Sequence, residues 1–139
     1  MYVIFVDDTE ADRLLVRECL EGSALQHVET YSSPEELTSV VEQILAGAKS
    51  RPALVILDMQ IGDDEECGLE MLQGIRASLP EVPAIMLSHS ARRKIVEESY
   101  RRGASSYISK DVDQKKFEKR LGAMTRYWSK VSRLPTPPG

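Results

Sequence analysis

Two adjacent aspartates, Asp7 and Asp8, follow the apolar run Tyr2-Val3-Ile4-Phe5-Val6, and a third, Asp58, follows Ala53-Leu54-Val55-Ile56-Leu57. Ser88 follows Ala84-Ile85-Met86-Leu87, and Lys110 follows Ser106-Tyr107-Ile108-Ser109. A carboxylate nucleophile, a hydroxyl donor and an ammonium are what phosphoryl transfer asks of a protein. If Asp8 and Asp58 lie about 4 Å apart, they repel by roughly 4 kcal/mol at an effective dielectric of 20. Clustered carboxylates therefore need a cation or a proton. Oxygen ligands in an open site suit Mg2+, which keeps several waters and binds phosphate oxygens. Each residue also has a plain structural role when taken singly. The acidic pair reads as a helix N-cap region, Asp58 as a loop starter, Ser88 as a turn residue and Lys110 as a solvated lysine. The repeated placement at the ends of apolar runs is what points to chemistry.

Near-continuous apolar runs of this length, set between polar segments, read as parallel strands buried on both faces. In open parallel sheets the ligand crevice lies outside the carboxyl ends of the strands. Neighbouring strands would then bring three carboxylates, a hydroxyl and an ammonium to one rim. Helical patterns separate the runs. Residues 10–21 carry Leu14, Leu15, Cys19 and Leu20 at mixed three- and four-residue spacing, with Gly22 as a stop. A short second strand is predicted at 27–31. Ser33-Pro34-Glu35-Glu36 supplies a cap, a proline at the first helical position and acids in the first turn. That helix shows Leu37, Val40, Val41, Ile44 and Leu45 on one face and ends near Gly47. A loop over 60–68 leads into a helix with Leu69, Leu72, Ile75 and Leu79. A basic helix is predicted over 91–102 and a last one over 113–132, with Phe117, Leu121, Met124 and Trp128 as its stripe. Five strand–helix pairs with right-handed crossovers make an α/β protein with helices on both faces of a parallel sheet.

These residues, in this order, resemble the receiver domain of two-component response regulators over roughly residues 2–125. The stretch Gly103-Ala104-Ser105-Ser106-Tyr107-Ile108-Ser109-Lys110 is similar to that family's G-A-x-x-Y-hydrophobic-x-K signature. The resemblance implies a flavodoxin-like (βα)5 doubly wound sandwich with strand order 2-1-3-4-5. It assigns Asp58 as phospho-acceptor and Asp8, Asp58 and the backbone carbonyl of Gln60 as Mg2+ ligands, with Asp7 acting through water. Lys110 and Ser88 would assist transfer, and Ser88 with Tyr107 would form the switch, the ring moving inward as Ser88 shifts toward phosphate. The implied donor is a sensor histidine kinase or a phosphotransfer protein. Enzymatic activity would be limited to self-phosphorylation and slow self-dephosphorylation.

Three departures from the family pattern stand out. Asp111 follows Lys110 where the family usually has a proline with a cis bond; a cis Lys-Asp bond would cost about 2.5–4 kcal/mol, so a trans bond is expected. His89 follows Ser88 in place of a small residue, and an outward-swung, solvated imidazole is expected. The loop from Asp58 to Gly68 is about two residues longer than usual, has Ile61-Gly62 where Met-Pro is common, and carries Asp63-Asp64-Glu65-Glu66.

With 139 residues the chain reads as one domain, over 1–132, followed by a Pro-rich tail or the start of a linker over 133–139. No apolar stretch reaches the ~18 residues needed to span a bilayer, and no leader pattern is present, so a cytoplasmic location and no membrane partner are expected. Cys19 and Cys67 lack metal-type spacing and read as a helix core residue and a loop residue. His27 and His89 are too sparse for a metal cluster. Residues 1–70 hold 16 acidic against 4 basic side chains, and residues 71–139 hold 14 basic against 6 acidic. A basic face made by Arg92, Arg93, Lys94, Arg101, Arg102, Lys115, Lys116 and Lys119 is a candidate contact for an acidic partner, an output domain or a second copy in a homodimer; ordinary solvation is the alternative. The net charge of −4 and the lack of interleaved aromatics argue against direct nucleic-acid binding. An aspartyl hydrolase of the haloacid-dehalogenase kind is disfavoured, because Asp7-Asp8-Thr9 lacks its D-x-D pattern. Phosphate-loop and dinucleotide fingerprints are missing. The remaining alternative is a receiver-like interaction module that no longer accepts phosphate.

Overall fold

The computed structural model describes residues 2–22, 27–64, 66–90 and 92–135. Chain order is β1 (Tyr2–Val6), α1 (Glu10–Glu21), β2 (His27–Tyr31), α2 (Pro34–Leu45), β3 (Leu54–Asp58), α3 (Cys67–Ser78), β4 (Ala84–Ser88), α4 (Arg93–Arg101), β5 (Ser106–Ser109) and α5 (Gln114–Arg126). The strands form one parallel sheet in the order β2-β1-β3-β4-β5. This is the five-stranded order 2-1-3-4-5 that the resemblance implied.

Alternation along each strand divides the core in two. Ile4, Val6, Val55, Leu57 and Met86 face α2 and α3, where Leu37, Val41, Leu72 and Ile75 cover them. Val3, Phe5, Leu54, Ile56, Ile85 and Leu87 face α1 and α5, covered by Val16, Leu20, Phe117 and Leu121. Every residue of β3 and β4 is buried, which explains why their sequence is apolar without alternation. The Ser33 hydroxyl accepts the Glu36 N–H at 3.2 Å, so the predicted cap forms.

Several boundaries and faces differ from expectation. On α1 the sheet takes Val16 and Leu20, whereas Leu14 is half exposed. Leu45 is likewise exposed at the end of α2. Cys67 is not a loop residue: it is the buried first residue of α3. The last helix leaves α-geometry at Arg126 and closes with a π-helical turn, Tyr127–Val131, in which the Ser132 N–H reaches the Tyr127 carbonyl at 2.6 Å. Of the Pro-rich tail, Arg133, Leu134 and Pro135 lack regular structure, and the segment 136–139 lies outside the described residues, as does Glu65 of the acidic loop.

Gly68 fixes how β3 hands over to α3. Its N–H donates to the Met59 carbonyl at 2.8 Å. A Cβ there would sit 2.4 Å from Met59 Cα and 2.6 Å from Met59 O, both backbone atoms that cannot step aside. Gly68→Ala is therefore expected to destabilise by about 2–3 kcal/mol in urea unfolding, the scale of overpacking. Gly74, with nothing within 4 Å of an added Cβ, is the control: Gly74→Ala is expected to stabilise by about 0.5–1 kcal/mol through helix propensity.

Candidate functional site

The chain leaves β1 toward β2 on one side of the sheet, and β3 returns on the other side of β1. Ligand crevices in open parallel sheets form at such a reversal of strand order. Asp7 and Asp8 follow β1, and Asp58 is the last residue of its neighbour β3. Ser88 ends β4, and Lys110 follows β5, tied to it by a Lys110 N–H bond to the Ser88 carbonyl at 2.7 Å. All five predicted residues thus converge on one rim.

The Lys110 ammonium is the centre of the arrangement. Its Nζ lies 2.6 Å from Asp7 Oδ2, 2.9 Å from Asp12 Oδ2 and 3.1 Å from Asp58 Oδ2. Asp7 is fully buried, and its other oxygen accepts the Thr9 N–H at 2.9 Å. Asp58 Oδ1 receives only a long bond, 3.3 Å, from the Gln60 N–H. Asp8 is exposed, and its Oδ2 accepts the Gly62 N–H at 2.8 Å. Gly62 has φ +63°, a backbone conformation that glycine adopts freely, in a turn closed by the Ile61–Asp64 bridge. The β3–α3 loop is thereby tied to Asp8 of the acidic pair.

Carboxylate oxygens of Asp7, Asp8 and Asp58 lie within 4.8 Å of one another. Three carboxylates and a hard-oxygen donor set are what a divalent cation such as Mg2+ fits, and one ammonium cannot neutralise them. Asp8, Asp58, Gln60, Ser88 and Lys110 line a cavity of about 280 Å3 that opens to solvent. Larger hollows, about 460 Å3 between α2 and α3 and about 630 Å3 along β5 and α5, have mainly apolar linings without such convergence.

Burial pushes the Asp58 carboxyl up to about 7; Lys110 opposes that rise, and Asp7 adds to it. Burial would lower Lys110, but Asp58 and Asp7 outweigh it and hold the ammonium above its usual range. Asp58 therefore gives up its proton less readily than an exposed aspartate does.

Asp12, on the first turn of α1, was not among the residues singled out from sequence. It reads there as an ordinary first-turn acid, and only the fold brings it to Lys110. His89 is solvent-exposed at the cavity mouth. The described residues contain no cis peptide bond, so Lys110–Asp111 is trans. In place of a proline, the Asp111 carboxylate accepts the Asp113 N–H at 2.9 Å and lies 3.4 Å from Arg120. Tyr107 is half-buried and packs on the core, with its hydroxyl donating to the Ser90 carbonyl at 2.7 Å. The basic helix α4 is partly self-neutralised: Arg93 pairs with Glu97, and Arg101 and Arg102 both pair with Glu98.

The raised Asp58 carboxyl has a consequence for stability. An aspartate in the unfolded chain releases its proton near pH 3.9. Between about pH 4 and 7 the folded protein therefore holds a proton at Asp58 that the unfolded chain has lost, and stability from this group falls as pH rises through that window. Asp58→Asn is expected to stabilise the metal-free protein by up to roughly 4 kcal/mol at pH 8 and by little at pH 4, measured by urea midpoints in chelator.

Residues 3–122 match the family described as the response regulator receiver domain. Response regulator Rcp1 of Synechocystis is 25% identical over 137 residues, covering 96% of this chain and 92% of that protein. The KDP operon transcriptional regulatory protein KdpE of Escherichia coli is 27% identical over 135 residues, covering 97% of this chain but 55% of that protein. Among solved structures, the phosphorylated cyanobacterial phytochrome response regulator RcpA superposes with a TM-score of 0.86 at 26% identity, covering 97% of this chain and 98% of that one. The reversal of strand order at β1 and β3, the acidic rim there and matches over nearly the whole length agree, and the chain belongs to the response regulator receiver domains of two-component signalling.

Proposed function

We propose that this receiver takes a phosphoryl group from a phosphohistidine onto Asp58 in the presence of Mg2+, and that the label alters its interaction surface. The observation that carries this reading is the set of contacts joining Lys110 to Asp58 and Asp7 beside the exposed Asp8. A bound Mg2+, held by Asp8, Asp58 and the Gln60 backbone carbonyl with Asp7 acting through water, would neutralise charge on the carboxylates and on the transferred group.

The rest falls to the chain's own groups. An Asp58 oxygen bonds to phosphorus as the phosphorus–nitrogen bond to the donor imidazole breaks, and the departing nitrogen keeps the electron pair and takes a proton. The product is an acyl phosphate. The Lys110 ammonium faces the developing charge, and the Ser88 hydroxyl donates to a phosphoryl oxygen. Ser88 Oγ already accepts the Ser90 N–H at 3.0 Å, and the Ser90 carbonyl holds Tyr107. A charge-assisted bond of about 1.5–3 kcal/mol from Ser88 to phosphate would bias a two-state equilibrium roughly 10- to 150-fold. That bias runs into α4, β5 and α5, where Lys94, Lys115, Lys116 and Lys119 offer a face to an acidic partner, an output domain or a second copy.

Residues 1–132 form the receiver unit in this reading, with the remainder a tail or linker, and the protein works in the cytoplasm. Among the described residues no helix is long and apolar enough to cross a membrane. A sensor histidine kinase or phosphotransfer protein is the donor. Because the structural neighbour RcpA is a phytochrome response regulator, a phytochrome-type kinase is the first to test.

The test is titration with beryllofluoride and Mg2+, followed by amide NMR shifts at Ser88 and Tyr107. A saturable, Mg2+-dependent shift is expected, lost in Asp58→Asn and weakened about ten-fold in Ser88→Ala. A folded protein that ignores both beryllofluoride and a phosphorylated kinase would be an interaction module that no longer takes phosphate.

A further inference from the structure

An ammonium has three N–H donors and no acceptor, and the three carboxylates around Lys110 use all of them. The contact with Asp58 is the longest of the three. When a phosphoryl group sits on Asp58, its oxygens take over the donor that Asp58 held, and the ammonium must shift toward them against the pull of Asp7 and Asp12, one of which has to yield. Asp7 is a poor candidate, being fully buried and fixed by the Thr9 N–H. Asp12 is the better one. Its side chain keeps a quarter of its surface in water, at the edge of the cavity over Asp58, so solvent can replace the lost bond. Asp12 also adds a negative charge to a rim that receives more negative charge on phosphorylation.

Resting on the phosphoryl-acceptor reading above, we propose that Asp12 is a positioning residue: it holds the Lys110 ammonium in competition with the phosphoryl group and so shortens that group's stay on Asp58. Its oxygens stand outside the three-carboxylate cluster formed by Asp7, Asp8 and Asp58, so its action is on the ammonium and not on a cation. An ordinary helix-surface ion pair would contribute little, but this one grips an ammonium whose side chain is only 2% exposed.

Asp12→Asn removes the charge at constant size. At saturating Mg2+ it is expected to bind beryllofluoride about ten-fold more tightly and to lose phosphate about ten-fold more slowly than the natural chain, the lower end of what a charge-assisted bond contributes. Asp12→Glu, which restores the charge, is expected to return both values to within about three-fold. A purely structural role would move the melting temperature and leave the dephosphorylation rate alone, and that result overturns the proposal. So does weaker beryllofluoride binding, or a large loss of affinity for Mg2+ alone, which would make Asp12 a metal ligand. If Asp12→Asn fails to fold, Asp12→Ser carries the same expectations. If the natural chain binds Mg2+ but neither beryllofluoride nor phosphate, the acceptor reading fails and takes this proposal with it. A natural chain that responds while Asp12→Asn matches it within two-fold sinks the Asp12 role alone.

Discussion

The buried ammonium of Lys110 is the constraint on which the site depends. Removing a lysine head group from water costs several kcal/mol unless it is paired and fully hydrogen-bonded. Here it meets three carboxylates, so the cost is offset only if β1, β3 and β5 end at the same level and α1 starts with Asp12 facing them. The dependence is mutual. Asp7, buried completely, is held by Lys110 and the Thr9 amide at its carboxylate, with the Arg13 guanidinium on its backbone carbonyl. Residues 103 and 52 positions apart in sequence are thereby pinned across the sheet. The parallel topology makes this possible, because every strand delivers its carboxyl end to the same rim.

The pairing is also deliberately incomplete in charge. Asp7, Asp8, Asp12 and Asp58 bring four potential negative charges against one positive. The shortfall appears physically in two places. Asp58 resists ionisation, its carboxyl raised toward neutral pH by burial. Asp8 stays in solvent with a single backbone donor, the Gly62 N–H. A site left short of positive charge, with one carboxylate exposed and another whose ionisation burial opposes, suits a hard cation. The Gly62 amide that meets Asp8 belongs to the β3–α3 loop, so the position of that loop bears directly on the exposed carboxylate. This joins the Asp63-Asp64 turn to the rim through backbone geometry rather than through its own charge.

What could be read from sequence follows from what burial does to composition. β3 and β4 are covered on both faces, and their uninterrupted apolar runs placed Asp58 and Ser88 at the strand ends without ambiguity. The helix faces were harder. Residues 14–20 of α1 carry apolar side chains around much of the helix, so periodicity alone could not choose Val16 over Leu14; the sheet made the choice. The early start of α3 depends on Gly68 touching Met59, a contact between backbones that no side-chain pattern reports. The π-helical turn after α5 rests on a shift in backbone bonding, seen in the Ser132 N–H bond to the Tyr127 carbonyl and equally invisible in the apolar stripe. Asp12 was missed for a similar reason. An acid in a helix's first turn is ordinary, and its distinction comes only from an ammonium 98 residues away.

A short run of hydrogen bonds leads from the rim to the edge of the sheet. Ser90 serves both ends of it, donating its N–H to the Ser88 hydroxyl and accepting the Tyr107 hydroxyl on its carbonyl. Because one peptide segment carries both bonds, a Ser88 hydroxyl drawn toward a new acceptor must either stretch the first bond or carry Ser90 along. Carrying Ser90 along disturbs the second bond, and with it the half-buried Tyr107 ring. The Tyr107 N–H in turn donates to the Tyr100 hydroxyl at 3.1 Å, which ties the edge strand β5 to α4. Close-packed surroundings transmit such displacements rather than absorbing them. The outer ends of this path are a helix whose only buried residue is Ser99 and a half-buried edge strand. The hydrogen-bonded path thus joins the buried charges of the rim to the half-buried edge of the sheet.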